Sequence, residues 1–293
     1  MIRARPPLVI LLLSVVGFST LYAPQPLLPV LAADFGRAST EASLLITLAM
    51  LPLAVAPLIY GYLLVSVPAR PMLAGAALLL GLCQIGLALA DAWWLMLSLR
   101  LLIGLCLPAL FTALMTFVAA SAAPERLRQA LAWYIASTIL GGFSGRALSG
   151  LVASVWDWRL ALGIWAPALL AMGIWALRLP GDQESRFGVV TPRIFLAVMA
   201  RPGAPQAYLA VFCIFFVFAS VLNVLPFHLA QRDPGTGSAG IGFAYLGYLS
   251  GMLVSLNTER IRRWFRTEGP LYALGLGLYA LGVGLFALSG IGG

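Results

Sequence analysis

The sequence predicts an all-α membrane protein whose helices cross the bilayer several times. Nine stretches of about twenty mostly apolar residues alternate with short polar segments, and each is long enough to cross roughly 30 Å of hydrocarbon as a helix. The composition agrees, with 61% hydrophobic residues, 10% charged residues and a mean hydropathy of +0.98. A soluble domain needs a more polar surface than this. We therefore expect any functional site to lie between helices.

The first stretch follows Arg3 and Arg5, as the apolar part of a signal peptide would. Its length, its lack of a small-x-small cleavage pattern and the eight apolar stretches after it predict a retained helix instead. Breaker residues such as Pro124 and Pro202 separate the later stretches. The nine expected spans cover residues 8–28, 43–64, 71–91, 94–119, 131–153, 159–178, 207–229, 239–257 and 270–290.

The longest polar break, from Leu179 to Gln206, divides six expected helices from three. It predicts a six-helix bundle over residues 1–178, a central cytoplasmic loop over 179–206 and a second group of three helices over 207–293. Spans one and seven also end alike, and a weak repeat around a central loop is typical of secondary transporters. The matching ends are Pro29, Leu31, Ala32 and Asp34 in span one and Pro226, Leu229, Ala230 and Asp233 in span seven.

The arginines predict the orientation of the chain. All eighteen basic residues are arginine, and with a cytoplasmic N-terminus thirteen lie in inside segments and three in outside segments. This bias follows the positive-inside rule, and an odd number of spans then places the C-terminus on the opposite side. The arginines lie in short loops rather than along a basic stripe with aromatic residues between them, so the formal charge of +8 does not indicate nucleic-acid binding.

The two remaining arginines, Arg100 and Arg146, lie inside spans four and five. A guanidinium at that depth costs about 2.5 to 3.5 kcal/mol on insertion scales, and no Asp or Glu lies deep within any expected span. Counting residues from the span ends places both roughly 10 Å below the outer surface. Two alternatives follow: the arginines tie helices together by bonding to backbone carbonyls, or at least one contacts a substrate anion or modulates proton movement.

Span one contains the sequence Tyr22-Ala-Pro24-Gln25-Pro26 in its outer half. Proline removes backbone donors and bends helices, which frees carbonyls that a cavity or a neighbouring helix must satisfy. The segment is either part of a substrate wall or a packing kink. Asn223 is its nearest polar equivalent in span seven. The candidate residues for substrate binding or coupling are therefore Arg100, Arg146, Tyr22, Gln25 and Asn223.

Several motifs resemble the major facilitator superfamily, in particular its drug and proton antiporter-like bacterial members. Arg100-Leu-Leu-Ile-Gly104 is similar to the Arg-x-x-x-Gly element of span four. The loop that runs from Gly61 to Arg70 keeps that glycine and arginine but has Val65 at the acidic position, whereas Glu259-Arg260-Ile-Arg262-Arg263 keeps the acid. The span-five sequence Gly141-Gly-Phe-Ser-Gly145-Arg146-Ala-Leu-Ser-Gly150 is spaced like the antiporter motif, with arginine in place of proline.

The resemblance implies major facilitator-type helical bundles and secondary active transport of a small molecule by alternating access. It implies proton-coupled efflux or uptake across the bacterial inner membrane, with a cytoplasmic N-terminus and a periplasmic C-terminus. Because family members have twelve helices, the resemblance implies that the three helices over 207–293 are an incomplete second bundle. The alternative function is then a truncated, non-transporting remnant or a subunit of a larger membrane assembly. The residues implied are Gly61, Arg70, Glu259, Arg260 and Arg263 in gating loops and Gly104, Gly141, Gly145 and Gly150 in helix packing.

The sequence gives no indication of an enzyme. It contains no His-Glu-x-x-His motif, no P-loop, no paired carboxylates within spans and no nucleophile beside a base. The three cysteines, Cys83, Cys106 and Cys213, lack metal-ligand spacing. We therefore expect no cofactor and no metal, and the partners expected are a small molecule, protons and the lipid bilayer.

Overall fold

The computed structural model describes residues 8–63, 67–122, 124–179, 192–233, 235–265 and 267–291. Within these residues all regular structure is helical and no strand occurs. This agrees with the predicted fold class, because a helix satisfies its backbone donors and acceptors internally and so suits a chain surrounded by lipid.

The long helices correspond to the apolar stretches, and short helices and 3-10 turns lie between or within them. Among the described residues, three 3-10 turns cover Gln25–Leu27, Pro124–Arg126 and Tyr245–Gly247. The helices are α1 Leu8–Tyr22, α2 Leu28–Asp34, α3 Ser39–Ala42, α4 Leu44–Leu63, α5 Ala69–Ala88, α6 Trp93–Ser121, α7 Leu127–Val155, α8 Trp158–Gly163, α9 Trp165–Ala176, α10 Pro192–Met199, α11 Ala204–Arg232, α12 Ser238–Ala244, α13 Tyr248–Leu256, α14 Thr258–Arg262 and α15 Glu268–Ile291.

Seven helical segments in the described residues are long and apolar enough to cross a membrane. They confirm that the protein is a multi-pass membrane protein. Two shorter apolar helices, at Ser39–Ala54 and Ser238–Val254, correspond to spans two and eight. The seven segments are Leu8–Asp34, Ala69–Ala88, Trp93–Ala119, Gln129–Val155, Trp158–Ala176, Ala204–Arg232 and Gly269–Leu288.

Three spans are interrupted within the described part of the chain. The first changes from α1 to a 3-10 turn at Gln25–Leu27 and continues as α2, so the bend predicted from Pro24 and Pro26 is present. The eighth contains the 3-10 turn at Tyr245–Gly247, and the sixth divides into α8 and α9 at Ile164; the sequence analysis predicted neither break. The predicted central loop contains the short helix α10, while its residues 180–191 lie outside the described part of the chain.

The buried core is formed mainly by the helices that precede Leu179. There, α4 packs on α6, and α5 packs on α6, α8 and α9. The later helices α11, α13 and α15 leave most of their large apolar side chains on the protein surface. Helix α7 joins the two parts of the chain, because it packs on α1 and also on α12 and α13.

The close packing of α7 depends on three glycines of the span-five motif. A Cβ atom on Gly141 or Gly145 would collide with the backbone of Val15 or Ser19 in α1, and one on Gly150 would collide with the carbonyl of Ser238 in α12. Small residues let membrane helices approach to backbone contact. The motif therefore places α7 against α1 on one side and against α12 on the other.

Three polar contacts connect helix ends on the side of the bundle predicted to be external. The indole Nε1 of Trp158 donates a hydrogen bond of 2.9 Å to Asp34 at the end of α2. The adjacent Arg159 lies 2.7 Å from the carboxylate of Asp91 and donates to the Ala90 carbonyl at 2.8 Å. These contacts fix the start of α8 against the ends of α2 and α5.

Candidate functional site

Arg100 is fully buried in α6 and each of its nitrogens donates to a backbone carbonyl. Its Nε atom bonds to Leu45 at 2.6 Å, Nη1 to Thr20 at 3.1 Å and Nη2 to Leu21 at 2.8 Å. The guanidinium thus connects α6 to α4 and to the end of α1. These bonds favour, for Arg100, the alternative in which the arginine ties helices together.

The sequence explains why these carbonyls are within reach. Pro24 has no N–H to donate to the carbonyl of Thr20, four residues earlier, so that carbonyl needs another donor. Gly104, one turn along α6 from Arg100, packs on the backbone of Ala49, where an added Cβ would lie 2.5 Å from the carbonyl oxygen. This close approach brings α4 within reach of the Arg100 side chain.

Arg146 is also fully buried, but its hydrogen bonding is incomplete. Its Nε atom donates to Oε1 of Gln25 at 2.6 Å, and its Nη1 atom donates to the carbonyl of Gly142 in the same helix at 2.6 Å. Its Nη2 atom is buried and has no hydrogen-bond acceptor among the described residues. Arg146 therefore has one nitrogen without an acceptor, whereas all three nitrogens of Arg100 donate.

Three tyrosine rings surround the Arg146 guanidinium. Its Cζ atom lies 4.0 Å from the ring centroid of Tyr22, 4.6 Å from that of Tyr245 and 4.8 Å from that of Tyr248. Each such cation–π contact contributes about 0.5 to 2 kcal/mol, depending on desolvation. We call Arg146, Gln25 and the three tyrosines the arginine cage; its members come from both sides of the central connector.

Gln25 links the cage to α11. Its Nε2 atom donates to Oδ1 of Asn223 at 2.7 Å and to the carbonyl of Leu222 at 3.1 Å. The hydroxyl of Tyr245 donates to the same carbonyl at 2.8 Å. Since Pro226 has no N–H to offer that carbonyl, it is available to side chains. A proline in each part of the chain thus frees a carbonyl for a neighbouring side chain.

The structure brings together four of the five candidate residues for substrate binding or coupling. Tyr22, Gln25, Arg146 and Asn223 form one connected group. Arg100 lies apart from this group but bonds to the carbonyls of residues 20 and 21, which immediately precede the cage residue Tyr22. Both arginines therefore contact the same bent segment of the first span.

An apolar cavity of about 480 Å³ adjoins the cage. Tyr245 and Tyr248 belong to both, so the cage forms a polar end of a mostly apolar space. Among the described residues no Asp or Glu is buried, and no three His, Cys, Asp or Glu side chains are grouped as metal ligands would be. The cavity is lined by residues that include Phe215, Phe218, Leu222, Leu225, Tyr245 and Tyr248.

Tyr245 and Tyr248 are the functional candidates that the sequence analysis missed. Their spacing of three residues, in the middle of an apolar span, was the available signal, because tyrosine usually concentrates at the ends of membrane helices. That the Leu222 carbonyl has no backbone donor within its helix could have been inferred from Pro226, four residues later. The side chains that donate to it, from distant parts of the chain, could not.

The residues predicted to form gating loops lie at helix ends. Gly61 lies near the end of α4, and the Nη1 atom of Arg70 donates to the carbonyl of Leu179 at 3.3 Å. Glu259 and Arg260 lie in α14, and Arg263 follows it. The side chains of Arg260 and Arg263 are exposed. Val65 and Ser66, which belong to the first of these motifs, lie outside the described residues.

A family model described as Major Facilitator Superfamily matches residues 10–293. The inner membrane transport protein YnfM of Escherichia coli (strain K12) is 28% identical to this chain over 240 residues, which are 80% of this chain and 57% of YnfM. The uncharacterized MFS-type transporter YybF of Bacillus subtilis (strain 168) is 29% identical over 168 residues, 57% of this chain and 42% of YybF. The chain thus spans less than three fifths of the length of these relatives.

Two solved structures share the fold at low sequence identity. The first is a bacterial homolog of the human lysosomal transporter Spinster in an inward-facing and unoccupied conformation. It matches with a TM-score of 0.70 and 12% sequence identity, and the match covers 85% of this chain and 58% of the homolog's chain. The second comes from work on substrate recognition in proton-dependent oligopeptide transporters. It matches with a TM-score of 0.54 and 16% sequence identity, and the match covers 78% of this chain and 54% of the other chain. Both likenesses concern the fold alone.

Proposed function

Because this chain belongs to the Major Facilitator Superfamily, we propose that it acts as a secondary active transporter that moves a small molecule across the bacterial inner membrane by alternating access. The chain is not an enzyme, and the relatives it resembles are named as transporters. The E. coli relative is named an inner membrane protein, which supports the same location here.

The observation that carries this proposal is the position of the arginine cage. Gln25 and Arg146 belong to the helices before the central connector, while Asn223, Tyr245 and Tyr248 belong to those after it. Rocking of one bundle against the other changes the contacts between these two groups. A polar group that joins both bundles beside a cavity is what a carrier needs to link ligand binding to that motion.

We assign the sequence candidates two kinds of role. Arg146, Gln25, Tyr22 and Asn223 form the substrate or coupling site. Arg100 holds the bent first span in place through three carbonyl bonds, so it is a positioning residue. We keep the helix ends around Gly61, Arg70, Glu259, Arg260 and Arg263 as the gating regions on the cytoplasmic side.

The proposal includes proton coupling, either as an antiporter in efflux or as a carrier in uptake. Its support is the likeness of the span-five sequence to the antiporter motif, together with the lack of a P-loop for direct ATP drive. The proposed orientation, with a cytoplasmic N-terminus and a periplasmic C-terminus, is supported by the arginine distribution.

Flux into proteoliposomes tests this function. The purified chain is reconstituted, and uptake of benzenesulfonate and of trimethylphenylammonium is measured with and without an imposed pH gradient. Both probes carry a permanent charge, so they do not cross lipid passively as neutral acids or bases. We expect protein-dependent flux of one probe that stops when a protonophore removes the gradient. Stable reconstitution with no flux of either probe would contradict the proposal and favour the non-transporting alternative.

A further inference from the structure

Two fully buried arginines in one chain differ in their hydrogen bonding. All three nitrogens of Arg100 donate to carbonyls within 3.1 Å. Arg146 donates from Nε and Nη1, whereas its buried Nη2 atom has no acceptor among the described residues. Arg100 thus serves as an internal reference for a structural arginine, and Arg146 departs from it.

The charge of Arg146 is not balanced by an acid in the described residues. No Asp or Glu is buried there, and the partners of the guanidinium are an amide oxygen, a carbonyl and three aromatic rings. Arginine keeps its proton in proteins, and a buried cation is unfavourable unless its remaining donors are satisfied. A guanidinium edge with a free N–H group is suited to a carboxylate or another oxyanion.

The space beside the cage suggests what the anion is attached to. Tyr245 and Tyr248 line both the cage and the cavity, while Phe215, Phe218 and Leu225 provide an apolar wall further along α11. A ligand in this cavity therefore meets aromatic and aliphatic side chains over most of its surface. At one end it meets the rings of Tyr245 and Tyr248, which also lie against the buried guanidinium.

We propose that the arginine cage binds the carboxylate of an organic anion whose apolar body fills the adjacent cavity, and that the site rejects organic cations of the same shape. The uncompensated charge of Arg146 attracts the anion and repels the cation, which is how one charged group provides both affinity and discrimination. This inference rests on the proposed function in naming the class of the carried substrate, but binding itself can be measured without transport.

The first test compares three probes of matched shape on the detergent-purified chain by isothermal titration calorimetry at pH 7. The probes are 4-phenylbutyrate, 4-phenylbutanol and 4-phenylbutylamine, which carry a negative, no and a positive charge. We expect 4-phenylbutyrate to bind about tenfold or more tightly than the alcohol, as a charge-assisted bond provides, and the amine to bind most weakly. Equal affinities, or tighter binding of the amine, would overturn the proposal.

The second test removes the charge. Arg146→Gln should reduce the affinity for 4-phenylbutyrate about tenfold or more while leaving that for 4-phenylbutanol within about twofold. Arg37→Gln is the matched control, because it removes the same charge from a side chain that is 42% exposed, and it should leave all three affinities unchanged. If Arg146→Gln does not fold, the probe series on the unaltered chain decides alone.

Flux separates this inference from the proposed function. Binding of 4-phenylbutyrate without flux of any probe would support the anion site and contradict transport. Flux of trimethylphenylammonium in preference to benzenesulfonate would support transport and contradict the anion site.

Discussion

Replacing Arg100 with leucine should destabilise the folded protein while leaving it inserted in the membrane. The change removes three charge-assisted hydrogen bonds, to Leu45, Thr20 and Leu21, and bonds to charged groups contribute about 1.5 to 3 kcal/mol each. Removing a guanidinium from the bilayer interior regains about 2.5 to 3.5 kcal/mol. We expect a net loss of about 1 to 6.5 kcal/mol in the free energy of unfolding.

A second substitution identifies the cause. Pro24→Ala supplies an N–H for the carbonyl of Thr20, so Arg100→Leu should cost about 1 kcal/mol less in the Pro24→Ala background than in the unaltered chain. Unfolding is measured in mixed micelles by denaturing-detergent titration, followed by tryptophan fluorescence. Arg37→Leu, at an exposed position, is the control and should change stability by less than about 1 kcal/mol. If Arg100→Leu leaves the unfolding midpoint unchanged, or if the costs of the two substitutions are additive, Arg100 does not stabilise the fold by bonding to these carbonyls.

Two further predictions use the same unfolding measurement. Gly145→Ala should lower the free energy of unfolding by about 1 to 3 kcal/mol, because its new Cβ would collide with the backbone of Ser19. Gly282→Ala is the control and should be neutral, since nothing lies within 4 Å of the added atom. Equal effects of the two substitutions would show that the span-five glycines are not a close packing surface. Trp158→Phe should lower the free energy of unfolding by about 1 kcal/mol, because it removes the hydrogen bond to Asp34. If the substitution has the same cost in an Asp34→Ala background, this bond contributes nothing.

The apolar spans were predictable because each is a local signal. A helix that must cross about 30 Å of hydrocarbon needs about twenty apolar residues in a row, and the sequence displays such runs directly. The bend of the first span was also predictable, since Pro24 and Pro26 remove backbone donors wherever the helix packs. The division of span six at Ile164 also has a local signal, because Pro167 has no N–H to donate to the carbonyl of Gly163, four residues earlier. The sequence prediction nevertheless keeps that span continuous.

The composition of the site was only partly predictable, because half of it depends on contacts between distant parts of the chain. Arg146, Gln25 and Tyr22 were recognisable as polar or bent positions in apolar spans. That Tyr245 and Tyr248 stack on Arg146 depends on how α13 and its preceding turn lie against α7, which no local pattern encodes. For the same reason the sequence could not separate Arg100, whose three nitrogens all donate, from Arg146, whose Nη2 atom has no acceptor among the described residues.

The distance between Arg146 and a bound carboxylate tests the central claim most directly. Solid-state NMR measures dipolar coupling between ¹⁵N-labelled arginine side chains of the reconstituted protein and 4-phenylbutyrate labelled with ¹³C at the carboxylate. A hydrogen-bonded pair places these nuclei within about 4 Å, so we expect strong dephasing in the unaltered chain and in Arg37→Gln, and none in Arg146→Gln. Dephasing that persists in Arg146→Gln, or that is absent when the probe is bound to the unaltered chain, would contradict the assignment of Arg146 as the anion-binding residue.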